Sequence, residues 1–486
     1  MTAPALRPAL TRRALFGGAA VALGLFPLVP RGAMSQGNDE PDTAALARLR
    51  PGDPKEKLAE AAGAWWREPT PEEAGWVRYL DERHRFTARL DRDGRVGSLA
   101  YAFDFDPQAP FAGLRMLMPE EEVVRAFPAL ALSEARDNYP YRFGSMPLET
   151  GGTLFVEIGH GRVTRMRADD PDAIYPERPL PLPRPALAFD VGIVPGFLRR
   201  GAAAPDGWCC GLPRGIAQAQ WPLSNKTGFP LEHHFTVRVP EPYRVKGREF
   251  VALALFGDSA EESRRSPAIS RLMNTVFDGR PLPAAVEEPL RPFLDHLRNR
   301  HPMEFRAKDI LYSSFAAIWL TREEFEGEEC EPPAPVRTEA NAMCTPPAWP
   351  VTGAAERFFG WNGKEAFDPS FYLHRVAGGR PSAKWDILAF RIAEVGDDPN
   401  TGRTPVDEFS DDNRDGYVPR FSEAWDALGR DISYGPMHFG GTASPIQAMP
   451  DLTPFYIEFE ETPGMFNFGG GSAQLDLVTM QLDWAQ

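Results

Sequence analysis

Alternating hydrophobic and polar positions predict β structure in the C-terminal part of this chain. Large apolar residues at Phe455, Ile457 and Phe459 alternate with Tyr and Glu, and a second alternating run follows at residues 474–478. A period of two places successive side chains on opposite faces of a strand, which is typical of half-buried strands. We therefore predict two strands here, joined by a corner at residues 466–471.

The corner between these strands contains three consecutive glycines, Gly469, Gly470 and Gly471. Glycine readily adopts positive φ and lets other groups approach the backbone closely. One interpretation is a loop that binds a phosphate or another ligand, and the other is a tight turn covered by neighbouring aromatic residues. Phosphate-binding loops normally open a helix. Because a strand is predicted after this corner, the tight turn is favoured.

The pattern upstream predicts a smaller unit in which helices and hairpins alternate. Residues 38–75 contain helical, largely polar segments. Asp93-Gly94 joins two alternating runs, which is typical of a β-hairpin, and Pro119 with three following acids predicts the start of a short helix. A second hairpin is predicted over residues 148–168, with its turn at Gly159-His160-Gly161.

Shifts in composition divide the chain into segments. Arg12-Arg13 followed by an apolar run indicates an export signal over residues 1–36, either of the twin-arginine type, a plain secretion signal or an uncleaved anchor. Residues 168–186 are rich in proline and lack periodicity, as expected of a semi-rigid linker. The chain is therefore predicted to contain a small α+β module over 37–167 and a large β-rich α+β domain over 187–486.

The predicted hairpin-helix-hairpin module resembles in outline the small exported α+β domains of the outer-membrane-assembly lipoprotein and β-lactamase-inhibitor-protein type. Residues 113–118, the helix start at 119–124 and residues 156–163 carry this likeness. Domains of that type bind proteins and do not catalyse reactions, so the resemblance implies a binding role.

From Leu187 onward the chain resembles the YwqG-like family, a bacterial family of unassigned function. Three patches carry the resemblance, at residues 211–237, 375–390 and 438–459. Each is a turn of glycine and proline followed by an apolar strand, so the resemblance implies a β-rich fold of repeated turn-and-strand units. Where the family often carries Trp-Gly-Asp-Gly near its end, this chain has the three-glycine corner. No catalytic residues are established for the family, so the resemblance implies no particular reaction.

A histidine shortly before a glycine pair occurs twice in this part of the chain. His374 precedes Gly378 and Gly379, and His438 precedes Gly440 and Gly441 at a similar though not identical spacing. We interpret both histidines as turn residues whose imidazoles bind backbone groups, in preference to paired catalytic use. The remaining residues predicted to build or line the C-terminal turn are Gly440, Gly441 and Gln447.

An acidic loop has the spacing of a calcium-binding loop. Asp411, Asn413 and Asp415 stand at positions 1, 3 and 5, with Gly416 at position 6, and in such loops alternate oxygen-bearing side chains point at the ion. The Glu that closes the cage at position 12 is replaced by Ser422. The alternatives are a bound calcium ion, the only cofactor that the sequence suggests, and a solvated acidic loop.

Four cysteines fit an exported protein. Cys330 and Cys344 flank a proline-rich excursion, so a disulfide is predicted to close it. For the vicinal pair Cys209-Cys210, a strained disulfide, buried thiols and pairing with the other two cysteines all stay open. The spacings do not suit zinc.

The net charge and the lack of known catalytic motifs narrow the range of possible functions. The formal net charge of −15 argues against nucleic acid or an anionic membrane surface as the main partner. No segment after the signal is apolar for long enough to cross a bilayer. The sequence contains no nucleophile elbow, HExxH metal motif, phosphate loop or dinucleotide fingerprint. We therefore expect a periplasmic, non-catalytic protein that binds a protein partner as an inhibitor or immunity protein. The alternative is an exported hydrolase with a structural or catalytic calcium site.

Overall fold

Two antiparallel β-sheets make up most of the protein, which we describe from a computed structural model. The export signal predicted over residues 1–36 lies outside the described residues. The structure describes residues 42–485 apart from 64–65, 67, 70, 72–73, 81–84, 103–110, 112, 134–140, 150, 177, 259–263, 278–281, 309–312, 356–375, 408–412, 414, 421, 430–431 and 447–448.

The first sheet lies in the N-terminal part of the chain, with three short helices, α1 (Thr43–Ala47), α2 (Lys55–Ala62) and α3 (Glu120–Ala126). Its seven strands are β1 (Trp76–Leu80), β2 (Arg85–Leu90), β3 (Val96–Ala102), β4 (Ala131–Leu132), β5 (Tyr141–Pro147), β6 (Thr153–Gly159) and β7 (Arg162–Asp169). They are ordered β1-β2-β3-β7-β6-β5-β4, and each neighbouring pair is antiparallel.

One face of the first sheet is buried beneath the helices. Leu154, Val156 and Ile158 of β6 lie in one hydrophobic cluster with Leu58 of α2 and Val123 of α3. Because side chains alternate along a strand, the intervening residues of β6 lie on the opposite face. That face has no helix over it among the elements described, which is an arrangement that antiparallel sheets tolerate.

The chain between the two sheets makes contacts with both. β7 extends to Asp169, two residues into the segment predicted as a linker. Tyr175 then lies under the guanidinium of Arg89, 4.3 Å from its carbon to the ring centroid. Leu180 and Leu182 pack against the core of the second sheet.

The second sheet contains eleven strands in the order β12-β13-β11-β10-β9-β14-β8-β15-β16-β17-β18, all antiparallel to their neighbours. In chain order these are β8 (Ala188–Ile193), β9 (Gly207–Cys209), β10 (Glu232–Arg238), β11 (Phe250–Gly257), β12 (Glu304–Lys308), β13 (Ser314–Thr321), β14 (Leu388–Val395), β15 (Met437–Phe439), β16 (Tyr456–Glu460), β17 (Ser472–Asp476) and β18 (Leu482–Ala485). Its helices are α4 (Pro267–Phe277), α5 (Arg291–Arg298), α6 (Arg322–Phe325), α7 (Trp349–Thr352) and α8 (Glu423–Asp426).

The strand order repeats on either side of the central β14–β8 pair. On one side β14 pairs with the three-residue strand β9, and β9 pairs with the longer β10. On the other side β8 pairs with the three-residue strand β15, and β15 pairs with β16. Each short strand is followed by a residue with positive φ, Cys210 at 72° and Gly440 at 58°. These two positions are therefore equivalent in the two halves of the sheet.

The large sheet curls towards a barrel, so that strands near its opposite edges share one core. Trp319 of β13 donates its indole N–H to the sulfur of Met480, which lies between β17 and β18, at 3.3 Å. Both belong to the hydrophobic cluster that also contains Phe235 of β10. Within the described part of the chain, no helix has the length and apolar character needed to cross a membrane.

Candidate functional site

His438, Gly440 and Gly441, which were predicted to build the C-terminal turn, lie in a buried group of polar side chains. Three loops and two strands of the large sheet contribute to it. We call this group the polar cluster; its members are Asp398, Asn400, Tyr417, Tyr434, His438, Thr442, Tyr456 and Glu458.

Asp398 is the most heavily hydrogen-bonded member of the polar cluster. Its carboxylate accepts from the hydroxyl of Tyr434 at 2.7 Å and from the backbone N–H of Asn400 at 2.7 Å. The backbone N–H and hydroxyl of Thr442 donate to it at 3.0 and 3.1 Å. A buried carboxylate needs such donors to replace the water it loses on folding. Through these four hydrogen bonds Asp398 links the loops that carry Asn400, Tyr434 and Thr442.

His438 supports the glycine turn that follows it. Because the carbonyl of Gly440 can only accept, Nδ1 of His438 carries the hydrogen and donates to it at 2.8 Å. The imidazole stacks on the ring of Tyr434 with centroids 3.9 Å apart. Its Nε2 lies 3.7 Å from Oε1 of Glu458, whose other oxygen accepts from the N–H of Ser444 at 2.9 Å. This is the backbone hydrogen bond predicted for His438.

Gly440 and Gly441 are required at this turn by both conformation and space. Their φ angles are 58° and 80°, in the left-handed region that side chains disfavour. A Cβ at Gly440 would lie 2.1 Å from the hydroxyl of Tyr243, and one at Gly441 would lie 2.1 Å from the hydroxyl of Tyr434. The turn is thus closed by tyrosine hydroxyls packed directly against the backbone.

The tyrosines of this region are fixed hydrogen-bonding groups. Burial raises the pKa of Tyr243, Tyr417, Tyr434 and Tyr456 far above the ordinary value of 10.0, so these phenols stay protonated at physiological pH. Tyr243 donates to the carbonyl of Leu187 at 2.9 Å, Tyr456 donates to that of Gly441 at 3.0 Å, and Tyr417 accepts from the N–H of Ala443 at 2.8 Å. Their hydroxyls therefore position backbone and are poorly suited to act as bases or nucleophiles.

The three-glycine corner binds a carboxylate of the protein itself. Glu461 accepts from the backbone N–H groups of Phe468 and Gly470, the second at 3.0 Å. The rings of Phe466 and Phe468 stack with centroids 4.9 Å apart beside it. Gly469 and Gly470 have φ angles of 68° and 90°. These amides would have to release Glu461 before they could bind a phosphate, and the corner has the features of a tight aromatic-covered turn.

The acidic loop uses two of its three predicted calcium ligands for contacts within the protein. The side-chain oxygen of Asn413 accepts a hydrogen bond from the backbone N–H of Tyr417 at 2.8 Å, and its side-chain nitrogen donates to the carbonyl of Tyr417 at 2.7 Å. Asp415 forms an ion pair with Arg184 at 2.5 Å, and Asp411 lies outside the described residues. Across the described ranges, no three His, Cys, Asp or Glu side chains are grouped so that they could hold a metal ion.

The other predicted turn residues are His374, Gly378, Gly379, Gln447 and Gly471. His374 and Gln447 lie outside the described residues. A Cβ at Gly378 would meet only Pro195, at 3.9 Å, and one at Gly379 would meet nothing within 4 Å. The Gly378-Gly379 turn thus has open space where Gly440 and Gly441 have buried hydroxyls. Gly471 immediately precedes β17.

The predicted disulfide is not formed in this structure. Cys330 and Cys344 are both buried, and their sulfurs are not joined. The excursion between them is held instead by Asn341, whose amide nitrogen donates to the carbonyls of Thr227 and Val336 at 3.0 and 2.9 Å. The Cys330–Cys344 pairing stays a prediction.

The open face of the first sheet is a second candidate site, which the sequence reasoning missed. Phe143 of β5 and Phe155 of β6 are 49% and 37% exposed. The register pairs Phe155 with Arg167 and pairs Glu157 with Phe143 and Arg165, so all five residues lie on this face. The available signal was that Phe155 occupies a polar position in the alternation of β6.

Comparisons with known proteins cover only parts of the chain. The family model Domain of unknown function (DUF7256) matches residues 41–177, the range that contains the first sheet. A search of curated proteins found no significant match. Among solved structures, an extracellular protein containing a SCP domain from Bacillus anthracis str. Ames is similar at 14% identity, with a TM-score of 0.20. That alignment covers 30% of this chain and 50% of the other chain.

Proposed function

We propose that this chain is an exported, non-catalytic binding protein that holds a protein partner in the periplasm, as an inhibitor or immunity protein. The observation that carries this proposal is the open face of the first sheet, where two phenylalanines are exposed among arginines. We further propose that the protein follows the twin-arginine route, and that the first sheet belongs to a hairpin-helix-hairpin module joined by the linker to a YwqG-like domain.

The aromatic pair supplies the apolar centre that a protein interface requires. Phe143 and Phe155 are diagonal neighbours on adjacent strands, because Phe155 pairs with Ser145, two residues beyond Phe143. The guanidinium of Arg167 lies over the ring of Phe155 at 4.6 Å, and its Nε bonds Asp169 at 2.8 Å. A ring held in place in this way loses little entropy on binding. Because each of these phenylalanines is already more than half buried, covering the rest of one contributes about 1 kcal/mol.

The charges on this face indicate the kind of partner. The whole chain carries a net charge of −15, yet Arg165 and Arg167 lie side by side on the open face, where Glu157 and Asp169 are the neighbouring acids. Arginine is enriched at interfaces because its planar fork binds carboxylates with two hydrogen bonds. A partner with acidic groups around an apolar recess would complement this face.

The polar cluster favours binding over catalysis. Its carboxylate, imidazole and phenols are engaged with backbone groups that they hold in place, in the manner of a structural network. The alternative of a calcium-dependent hydrolase would need Asp415 to leave Arg184 and a ligand from Asp411, so we regard calcium as the weaker proposal.

The test is capture of a partner from envelope extract by the full mature chain. We expect a stoichiometric partner with wild-type protein and its loss with Phe143→Ser combined with Phe155→Ser. Val351→Ser removes a side chain that is 78% exposed elsewhere, and it serves as the matched control. A partner retained by the double variant would place the interface elsewhere, and a wild-type chain that captures no partner would refute the proposed function.

A further inference from the structure

Three sulfur atoms meet in the core of the large sheet. Sγ of Cys210 lies 3.8 Å from Sγ of Cys209 and 3.9 Å from Sδ of Met465. Both cysteines are fully buried and Met465 is 5% exposed. Met465 belongs to the β16–β17 connection, so this contact joins residues far apart in sequence.

Two unfavourable backbone conformations bring these sulfurs together. Neighbouring side chains at a strand end ordinarily point to opposite faces, yet Cys209 and Cys210 lie in the same core cluster. The reason is the φ of 72° at Cys210, and Met465 has a φ of 56°. Both values lie in the region that residues with a Cβ disfavour.

The turn at the equivalent position in the other half of the sheet has no cysteine. There the residue after the short strand is Gly440, with φ of 58°. Glycine adopts this conformation without steric conflict. A cysteine at residue 210 is therefore a more strained choice than glycine for making the same turn, which points to a role for its thiol.

We propose that Cys209, Cys210 and Met465 form a buried binding site for a soft monovalent metal ion, Cu(I). Thiolate and thioether sulfurs select Cu(I) over hard cations. Three sulfurs bound in a plane at about 2.3 Å from one ion lie about 4 Å apart, close to the 3.8 and 3.9 Å that separate Sγ of Cys210 from the other two sulfurs. On binding, both thiols release their protons, two thiolates and one thioether donate electron pairs to the ion, and copper keeps its oxidation state.

The surroundings of the three sulfurs are mostly apolar, and the buried Glu232 and His234 lie nearby. Phe235, Phe459 and Phe466 belong to the same hydrophobic cluster as the three sulfurs. The hydrogen bond to Cys209, burial and the nearby carboxylate of Glu232 raise the pKa of the Cys210 thiol, so this thiol gives up its proton only when an ion binds.

The experiment is titration of the reduced full chain with Cu(I) under anaerobic conditions, in competition with a chromogenic Cu(I) chelator. We expect one ion per chain and copper–sulfur distances in X-ray absorption that account for three sulfurs. Cys210→Gly should remove this binding, and glycine suits the local backbone. Met465→Leu removes a ligand and should weaken binding by more than the roughly tenfold that the loss of an outer-shell partner costs. Cys330→Ser and Met480→Leu are matched controls and should bind as the wild type does.

Three outcomes would overturn the proposal. The wild type does not bind Cu(I), Cys210→Gly binds as much Cu(I) as the wild type, or Cys330→Ser loses as much Cu(I) binding as Cys210→Gly. Mass spectrometry of protein isolated from its own compartment is a second measurement. A Cys209–Cys210 disulfide in that protein, without bound copper, would mean that the pair is a redox element and Met465 only packs against it.

Discussion

The buried His233 and the partly buried His296 should make the large domain sensitive to mild acid. Burial lowers the pKa of both His233 and His296 to about 4. Nδ1 of His233 donates to the carbonyl of Gly211 at 2.9 Å, and Nε2 lies 2.9 Å from the hydroxyl of Thr236. A neutral imidazole satisfies both contacts, with Thr236 donating to Nε2. Protonation of Nε2 would remove that acceptor inside the core.

The sign and size of the effect follow from the two pKa values of each histidine. The unfolded chain titrates near 6.5 and the folded chain near 4, so the unfolded state binds the proton first as pH falls. The contribution of the two neutral imidazoles to the free energy of unfolding is therefore fully present above pH 6.5 and is lost as pH falls towards 4. The difference of 2.5 pKa units corresponds to about 3 kcal/mol for each histidine, of which about 2 kcal/mol is lost by pH 5.

The assay is denaturant unfolding at pH 7.5 and pH 5.0, followed by the fluorescence of the buried tryptophans Trp208 and Trp221. For wild-type protein we expect a lower free energy of unfolding at pH 5.0. His233→Gln should reduce the difference between the two pH values by about 2 kcal/mol, whatever its effect at pH 7.5. His160→Gln changes an exposed turn and should leave the difference unaltered. A His233→Gln variant with the full wild-type difference would refute the reasoning.

Two further predictions concern the turn and the acidic loop. Gly441→Ala should lower the free energy of unfolding by about 3 kcal/mol or more, since its Cβ would meet the Tyr434 hydroxyl at 2.1 Å. Gly378→Ala, at a similar φ of 67° but in open space, should cost only about 1 kcal/mol, and equal losses in denaturant melts would contradict this account. A calcium chelator should leave the melting temperature unchanged, because Arg184 neutralises Asp415. A drop that calcium reverses would establish a bound ion.

Strand placement could be predicted because it depends on short-range pattern. The alternation around Phe455 predicted a strand, and β16 covers Tyr456–Glu460. The run at 474–478 similarly overlaps β17. Turn chemistry was also local, as the hydrogen bond from His438 to Gly440 illustrates.

The same alternation wrongly predicted that the polar face of these strands is exposed to solvent. A half-buried strand was expected at β16, yet Tyr456 and Glu458 are 0% and 6% exposed. Both side chains enter the polar cluster, where distant loops supply their hydrogen-bonding partners. Asp476 of β17 is likewise buried, and it accepts from the N–H groups of Val478 and Thr479 at 2.9 and 2.8 Å. A polar residue in the alternating pattern can therefore be either exposed to water or buried with hydrogen bonds inside the protein, and the pattern does not distinguish the two.

The sequence by itself determined the periodicity of the strands and the positions where only glycine turns the chain, since both follow from neighbouring residues. Only the tertiary structure decided which polar and sulfur groups meet. Arg184 reaches Asp415 and Cys210 reaches Met465 across hundreds of residues. Such contacts depend on how the sheet curls and which loops it brings together, and local spacing carries no information about them.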